Sequence, residues 1–352
     1  MAYPTMQQVA ERAGVSTALV SLVMRGAPNV SDHRRALALD AADELGYRPN
    51  VLARNLASRR TRTVGVVLND LHNQFFAEIV DGIQRAADDV GYRVLIGNGK
   101  HSRAGELDAV ETFLQFRVDG LILAGSTIPI SSMETAARSA ALIVVGRTTR
   151  SNKLDSVNTD DLLGAELAVE HLCNLGHERI AHIDGGTGAG AAARRKGYQS
   201  AMAERGLEEY AEIARGDFTE EGGFIAASQL LSHPSPPTAI FAGNDLSAVG
   251  ARDAVLQAGL RVPNDVSITG YDNTALAAMH HMSLTTVNQP REDLGRAAAE
   301  LLFQRLDKGR TAHVHHVVAP ALVVRSTTTA PLGRASSLST TTATGTNVKG
   351  SP

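Results

Sequence analysis

Three sets of residues in this chain are of the kinds that do chemistry. The first is a series of polar side chains, each standing directly after a short apolar run: Asn69, Asp70, His72 and Asn73 with Phe75 and Phe76, then Ser126, Arg147, Asp184, Asn244 with Asp245, and Asp272. Such a collection suits a small polar molecule, because Arg, Asn and Asp offer paired donors and acceptors to hydroxyl groups while aromatic rings cover C–H faces. A single Asn or Asp of this kind is as readily a turn residue or a helix cap. The weight lies in their recurrence at equivalent places. The second set is the run Gly186-Thr-Gly188-Ala-Gly190-Ala191, which fits the G-x-G-x-x-A version of a dinucleotide-binding loop. It stands in the second half of the chain with Arg194 close behind, so an NAD-dependent oxidoreductase is the weaker alternative. The third is a basic stretch: no acidic residue occurs between Glu44 and Asp70, whereas Arg48, Arg54, Arg59, Arg60 and Arg62 do. Taken alone it could be a solvated linker, but it also has the charge of a segment that meets a polyanion.

Other reactive residue types offer less. Cys173 is the single cysteine, which excludes an intrachain disulfide or a cysteine zinc cluster and reads as a small core residue in a reducing compartment. His313, His315 and His316 suggest a metal, yet on a strand only the first two share a face and no third ligand is identifiable. They read as surface or interface residues, and neither metal nor cofactor is expected.

The 352 residues, 43% of them hydrophobic, are enough for a sizeable core plus a smaller module. The net charge of −3 conceals an asymmetry: the first 62 residues carry nine arginines against five acidic residues, +4, which leaves −7 on the remainder. A basic head on an acidic body implies that the head meets a polyanion. Met1 to Gln8 lacks the basic and apolar regions of a signal peptide, and no later stretch approaches the ~18 apolar residues of a membrane span. A cytoplasmic protein without membrane attachment is expected.

The elements that must position these groups begin with three short helices. Met6 to Ala13 places Val9, Ala10 and Ala13 inward, and Gly14 permits a tight turn. Ser16 caps a second helix, Thr17 to Arg25, whose Val20 and Val23 face the first and leave Thr17, Ala18, Ser21 and Leu22 outward. A third, Ser31 to Leu45, sets Ala38, Ala41, Ala42 and Leu45 at i, i+3, i+4, i+7 spacing. Two helices about a glycine are by pattern alone no more than a helical hairpin. The residues are more specific: Thr5-Met-Gln-Gln-Val-Ala-Glu-Arg-Ala-Gly-Val-Ser16, with Val20-Ser21, Val30-Ser31, Arg35 and Gly46-Tyr-Arg-Pro-Asn50, closely resembles the headpiece of the lactose-repressor family, and the resemblance extends to about residue 325.

That resemblance implies a helix-turn-helix headpiece over residues 1–49 that binds double-stranded operator DNA through Thr5, Ser16, Thr17, Ala18, Ser21, Leu22, Arg25 and Asn29. It also implies a hinge helix and linker over 50–62, in which Arg54, Asn55 and Leu56 meet the minor groove, Leu56 as a wedge that kinks the duplex. A helix from Asn50 to Ser58 has only about nine residues, too short to be stable alone in water. Gln8 and Arg34 depart from the family's usual Asp and Thr. Leu22 and Ala18 cannot donate hydrogen bonds, though they can touch thymine methyls.

From Thr63 short apolar strands alternate with amphipathic helices, in one series to Val145 and a second from Asp160 to Thr269, the pattern of parallel sheets covered on both faces. Ligands of such sheets bind at the carboxyl ends of the strands. The fold class expected is therefore α/β, with a helical headpiece and two doubly wound lobes, which resembles the type I periplasmic sugar-binding fold. The resemblance assigns an effector core to residues 63–326, with an N-lobe over about 63–160 and 290–320 and a C-lobe over about 161–288. The chain is expected to cross between lobes near Asp160, Asn288 and Ala321, and the last strand to run from His313 to Val324. Effector contacts implied are Asn73, Phe75, Phe76, Ser126, Arg147, Arg194, Phe218, Asn244, Asp272 and Gln289. A sugar or polyol fits these side chains; a purine is an alternative, because Phe75 and Phe218 could sandwich a base. Gly146 stands where sugar-binding relatives often have Asp, and Gln74 where Pro is usual. A transport-type binding protein would explain the body but not residues 1–62. Thr327 to Pro352, rich in Ser, Thr, Gly and Ala, is expected to be a disordered tail without leucine heptads, so a homodimer on a near-palindromic operator is the expected assembly.

Overall fold

The computed structural model describes residues 4–48 and 60–332, which fall into two compact units, one within residues 1–61 and one from Arg62 onward. The first holds α1 (Met6–Ala13), α2 (Thr17–Met24) and α3 (Asp32–Glu44). Thr5 and Gln8 close a capping box on α1: the Thr5 hydroxyl accepts the Gln8 amide at 3.3 Å and the Gln8 side-chain oxygen accepts the Thr5 amide at 2.8 Å. Gln8, which stands where the family usually has Asp, thus completes the box through its amide oxygen. Gly14 ends α1 at φ +65°, and Ser16 caps α2 by accepting the Leu19 amide at 3.2 Å. Val9, Val20, Val23 and Val30 with Ala10, Ala38, Ala41 and Ala42 fill the core between the helices. The segment expected as a hinge helix, with Arg54, Asn55 and Leu56, lies outside the described residues.

The second unit contains two six-stranded sheets. In the first, β1 (Thr63–Leu68), β2 (Arg93–Asn98), β3 (Gly120–Ala124), β4 (Ala141–Val145), β5 (Asp155–Thr159) and a late strand, β11 (His315–Val318), run parallel in the order β11-β5-β4-β3-β1-β2. Helices α4 (Gln74–Val90) and α11 (Arg291–Lys308) cover one face; α5 (Arg103–Gln115) and α6 (Ile130–Ala136) cover the other. The second sheet orders β12 (Ala321–Val323), β10 (Thr285–Asn288), β9 (Ser267–Asp272), β8 (Ala239–Ala242), β6 (Ile180–Ile183) and β7 (Glu212–Ala214), antiparallel only between β10 and β12. Helices α7 (Asp161–Asn174) and α8 (Ala191–Ala203) pack on one side, α9 (Glu220–Leu231) and α10 (Asp245–Gln257) on the other.

The apolar runs follow from this double cover: every residue of β3 is buried, because neither face of the strand meets water. The chain passes between lobes after β5, after β10 and between β11 and β12. Among the described residues no helix is long and apolar enough to cross a membrane.

Two expectations are corrected. The strand read from His313 to Val324 is two strands in different sheets, split around Pro320, which lacks the amide needed to continue a ladder. The tail does not begin at Thr327: that residue is buried, donates to the Ile268 carbonyl at 2.7 Å and accepts the Thr285 amide at 2.9 Å, while the Ser267 hydroxyl accepts the Thr329 amide at 3.0 Å. Small threonines satisfy polar groups beside the second sheet, which their composition cannot reveal. Residues 333–352 lie outside the described residues. Strands β5, β7 and β10 were not expected either, since Asp, Ser, Thr and Asn dominate β5 and β10, and β7 is three residues long.

Asp155, fully buried at the start of β5, anchors the end of α11. Its carboxylate accepts Arg305 Nε at 2.5 Å, Arg310 at 2.7 Å and the Val314 amide at 2.7 Å. Burial alone would raise this carboxyl, but the hydrogen bonds from Arg310, Arg305 and Val314 outweigh it and hold it at about 2. A carboxyl depressed on folding stabilises the native state above its unfolded value, and that contribution fades as pH falls towards the folded one. Asp155→Ala is expected to lower unfolding free energy by about 3 kcal/mol at neutral pH, the cost of leaving buried cations unpaired. The gap to wild type should narrow in acid; urea titrations at neutral pH and in acid check both, and equal midpoints at neutral pH would refute it.

Candidate functional site

The carboxyl ends of both sheets border one cavity of about 780 Å³ within the second unit. On the N-lobe side Asn73 caps α4 by accepting the Phe75 amide at 3.0 Å, which turns Phe75 and Phe76 into the cavity wall as an edge-to-face pair with centroids 5.1 Å apart. Gly125, at φ +66°, leaves room for the Phe76 ring: a Cβ there would stand 2.5 Å from it. Glu106, buried on α5, organises the rest of this wall. Its carboxylate accepts Asn69 Nδ2 at 3.1 Å, and the Thr127 amide and hydroxyl at 3.0 and 2.7 Å, and also the Ser126 hydroxyl. His101 joins the wall with Nε2 2.9 Å from Asp70.

The C-lobe side is built around Arg194, which is 6% exposed. Its Nε donates to Asp161 at 2.8 Å and NH1 to the Gly243 carbonyl at 2.6 Å, and the guanidinium carbon lies 3.8 Å from the Tyr271 ring centroid and 5.3 Å from that of Phe218. Desolvation works against the charge, but the Asp161 carboxylate above all more than restores it. Asn244 Nδ2 holds the Phe218 carbonyl at 3.0 Å while Phe218 itself sits at φ +68°. The glycine run, with Gly185 just before it, has local reasons: a Cβ at Gly185 would enter the Phe218 ring, one at Gly186 would stand 2.8 Å from the Gly216 carbonyl, one at Gly188 would stand 2.5 Å from the Phe218 ring, and one at Gly190 would stand 2.8 Å from Asp161. These glycines admit an aromatic ring and the partner of Arg194, a local reason for them independent of any dinucleotide.

Asp272 closes the floor. Gln289 Nε2 donates to its Oδ1 at 2.7 Å and Arg194 NH1 is 4.0 Å away. Burial raises this carboxyl; Arg194 opposes the rise, and neighbouring Asp245, raised by burial as well, reinforces it. The pair therefore holds protons above the ordinary carboxylate range, and a protonated carboxyl can both donate and accept towards a hydroxyl.

Of the residues singled out from the sequence, Asn73, Phe75, Phe76, Arg194, Phe218, Asn244, Asp272 and Gln289 line this cavity. Ser126 and Arg147 do not. Ser126 is buried behind the wall on Glu106, and Arg147 NH1 donates to the carbonyls of Ser126 at 3.2 Å and Ile128 at 2.6 Å. Burial lowers the Arg147 pKa and Glu106 counters this. Thr127, one residue on, faces the cavity in their place, with His101, Arg103, Arg215 and Asp217. Among the described residues no His, Cys, Asp or Glu group could hold a metal. In the first unit Thr5, Ser16, Thr17, Ala18, Leu22, Arg25 and Asn29 are exposed and Ser21 half-buried, with Leu22 at 39% exposure beside Ala18 on α2.

A capped helix-turn-helix followed by a two-lobed clamp around a polar and aromatic cavity defines a ligand-responsive DNA-binding protein. The chain belongs to the lacI family of bacterial regulatory proteins: the model of that family matches residues 5–50, and that of the periplasmic binding proteins and sugar binding domain of the LacI family matches residues 61–327. It is 37% identical to catabolite control protein A of Priestia megaterium over 310 residues, 86% of this chain and 93% of that one. To the ribose operon repressor of Escherichia coli (strain K12) it is 36% identical over 326 residues, 91% and 98% of the two chains. The crystal structure of the Lac repressor dimer bound to operator and the anti-inducer ONPF superposes with a TM-score of 0.83 at 31% identity, covering 94% of this chain and 100% of that one. The protein is a transcriptional regulator whose DNA binding is modulated by an effector.

A carboxyl raised on folding favours the native state most at low pH, and that contribution is lost as pH rises through the folded value. Asp272→Asn keeps the shape without the titration. The variant should therefore gain stability relative to wild type as pH is raised from the ordinary carboxylate range through neutrality. Thermal midpoints of both proteins across that range decide it, and parallel curves would show that Asp272 ionises normally.

Proposed function

We propose that the chain is a cytoplasmic homodimeric repressor, not an enzyme, that grips a near-palindromic operator through residues 1–62 and is controlled by a sugar or polyol bound between the lobes of residues 63–326. The observation that carries the effector class is the floor of the cavity. Phe218 offers an apolar face beside Arg194, Asn244, Gln289 and a proton-holding Asp272, the mixture of donors, acceptors and ring surface that a polyhydroxylated carbon frame satisfies. The ribose operon repressor among the relatives agrees with this class. A purine is the second reading, supported by Phe75 and Phe218 lining the cavity from opposite lobes.

On the DNA side, Ser16, Thr17, Ala18, Ser21 and Leu22 present the face of α2 to the major groove, and Leu56 with Arg54 and Asn55 reads the minor groove. Ala18 and Leu22 supply no hydrogen bonds, so the half-site is read there through thymine methyls and shape, while the arginines provide affinity through phosphates.

Footprinting on the surrounding genomic DNA with pentoses, hexoses, polyols and purines tests the reading. One class should shift operator affinity by on the order of 1–3 kcal/mol, the usual range of coupling between sites. Arg194→Ala should abolish that shift while leaving operator affinity unchanged; a variant that still responds removes Arg194 from the effector site. Leu56→Ala should weaken operator binding by on the order of tenfold or more and nonspecific binding far less, since a wedge acts only on a kinked site. Equal losses on both DNAs, measured by electrophoretic retardation, would show that Leu56 is no wedge.

A further inference from the structure

Arg291 is the first residue of α11, at the second of the three crossings, and its side chain is 8% exposed. One edge of its guanidinium faces α4: Nε and NH2 reach the Glu78 carboxylate at 2.9 and 2.7 Å. The other edge faces the C-lobe, where NH1 donates to the main-chain carbonyl of Asp272 and to that of Gln289 at 3.0 Å. These two carbonyls belong to the residues whose side chains pair on the cavity floor. Asp272 stands at φ +116°, a conformation that a non-glycine residue holds only when its surroundings impose it.

Arg291 and its N-lobe partner Glu78 stand on a stiff pair of helices. A Cβ on Gly82 would strike the Glu292 carbonyl and one on Gly295 would strike that of Ile79, so α4 and α11 are in backbone contact and cannot slide without separating. Glu78 lies one turn beyond Phe75, which lines the opposite cavity wall. Rotation of one lobe against the other must therefore change the separation between the Arg291 guanidinium and the Asp272 carbonyl, because the first moves with the helix pair and the second with β9.

We propose that Arg291 is a positioning residue that ties lobe orientation to the shape of the effector floor, its guanidinium shared between Glu78 of the N-lobe and the Asp272 and Gln289 main chain of the C-lobe. Reorienting the lobes strains or releases the carbonyl bonds and re-aims the Asp272 carboxyl; a ligand that grips Asp272 pulls through Arg291 on α4. Other groups near the cavity floor do not make this link: Arg194 bonds only within the C-lobe and Glu106 only within the N-lobe.

The proposal rests on the reading of the cleft as an effector site, but its test needs neither DNA nor effector. Hydrogen exchange is followed in the full chain for wild type, Arg291→Met, Glu78→Gln and the double variant. Arg291→Met should speed exchange of the Asn273 and Gln289 amides and of the first turn of α4 by at least about tenfold, the factor that one charge-assisted hydrogen bond carries. Glu78→Gln should loosen the first turn of α4 and, more weakly, the same floor amides, and the double variant should add nothing to Arg291→Met. A merely structural arginine would instead speed exchange uniformly across both lobes. Uniform acceleration, no acceleration, or additive effects overturn the proposal; should Arg291→Met not fold, Glu78→Gln decides alone by whether the floor amides respond to a change on α4. Failure here would leave the effector reading intact, whereas an operator deaf to every ligand class would remove that reading and not the coupling between lobes.

Discussion

A charge buried under a cleft has to be answered by protein, and the C-lobe is arranged around that requirement at Arg194. Removing a guanidinium from water costs several kcal/mol unless its donors are satisfied and its charge is balanced. Asp161 supplies the countercharge from the first turn of α7, immediately after the first crossing; Gly243 supplies a carbonyl from the end of β8; Tyr271 supplies a ring from β9. One side chain thus fixes a crossing, a strand end and an aromatic wall relative to one another. The same balance decides the state of Asp272. Because Asp161 already occupies Arg194, Asp272 has only a distant share of that cation and an acidic neighbour in Asp245, so burial prevails and its carboxyl holds its proton.

The glycine loop after β6 is a second consequence. Phe218 must lie against the loop to reach Arg194, and a Cβ at Gly185 or Gly188 would occupy the space of its ring. A pattern that in another setting cradles a pyrophosphate here makes way for an aromatic side chain. The chemical meaning of spaced glycines is that backbone approaches something closely; which partner approaches is a property of the fold and not of the spacing.

What the sequence made legible follows the same division between pattern and partner. Apolar strands flanked by helices were readable because both sheet faces are buried, so β3, β4 and β8 are continuous apolar runs and β1 and β6 are apolar but for Thr63 and His182. Strands β5 and β10 were not, since polar residues dominate them, several of which are buried on partners far along the chain, such as Ser156 with His315, Thr285 with Thr327 and Thr286 with Asp245. In the site, residues directly after strands were found where strand ends could be found. Ser126 was singled out and Thr127 was not, because the direction in which each side chain leaves the loop depends on Glu106, and a buried glutamate on a helix has no signature in a periodic pattern that expects charge at the surface. Arg147 was misplaced for a similar reason: its acceptors are main-chain carbonyls, which no residue type announces.

The three crossings show how such a clamp can bend without unpacking its cores. The groups at the crossings are polar. The Asp160 amide donates to the Val318 carbonyl at 3.0 Å, tying the first crossing to the third on the N-lobe side; Arg325, just beyond β12, donates to Asn273 at 2.6 Å, whose own amide reaches Asn288 at 3.0 Å, tying the third to the second on the C-lobe side; and Arg291 spans the lobes at the second. The apolar clusters lie within single lobes. Moving one lobe on the other therefore exchanges hydrogen bonds, each worth about 1 kcal/mol net, and leaves the packed interior, where a lost methylene alone costs a similar amount, undisturbed. A hinge assembled from replaceable bonds between rigid bodies has nearly isoenergetic settings, and a ligand that adds a few bonds across the cleft is then sufficient to choose among them.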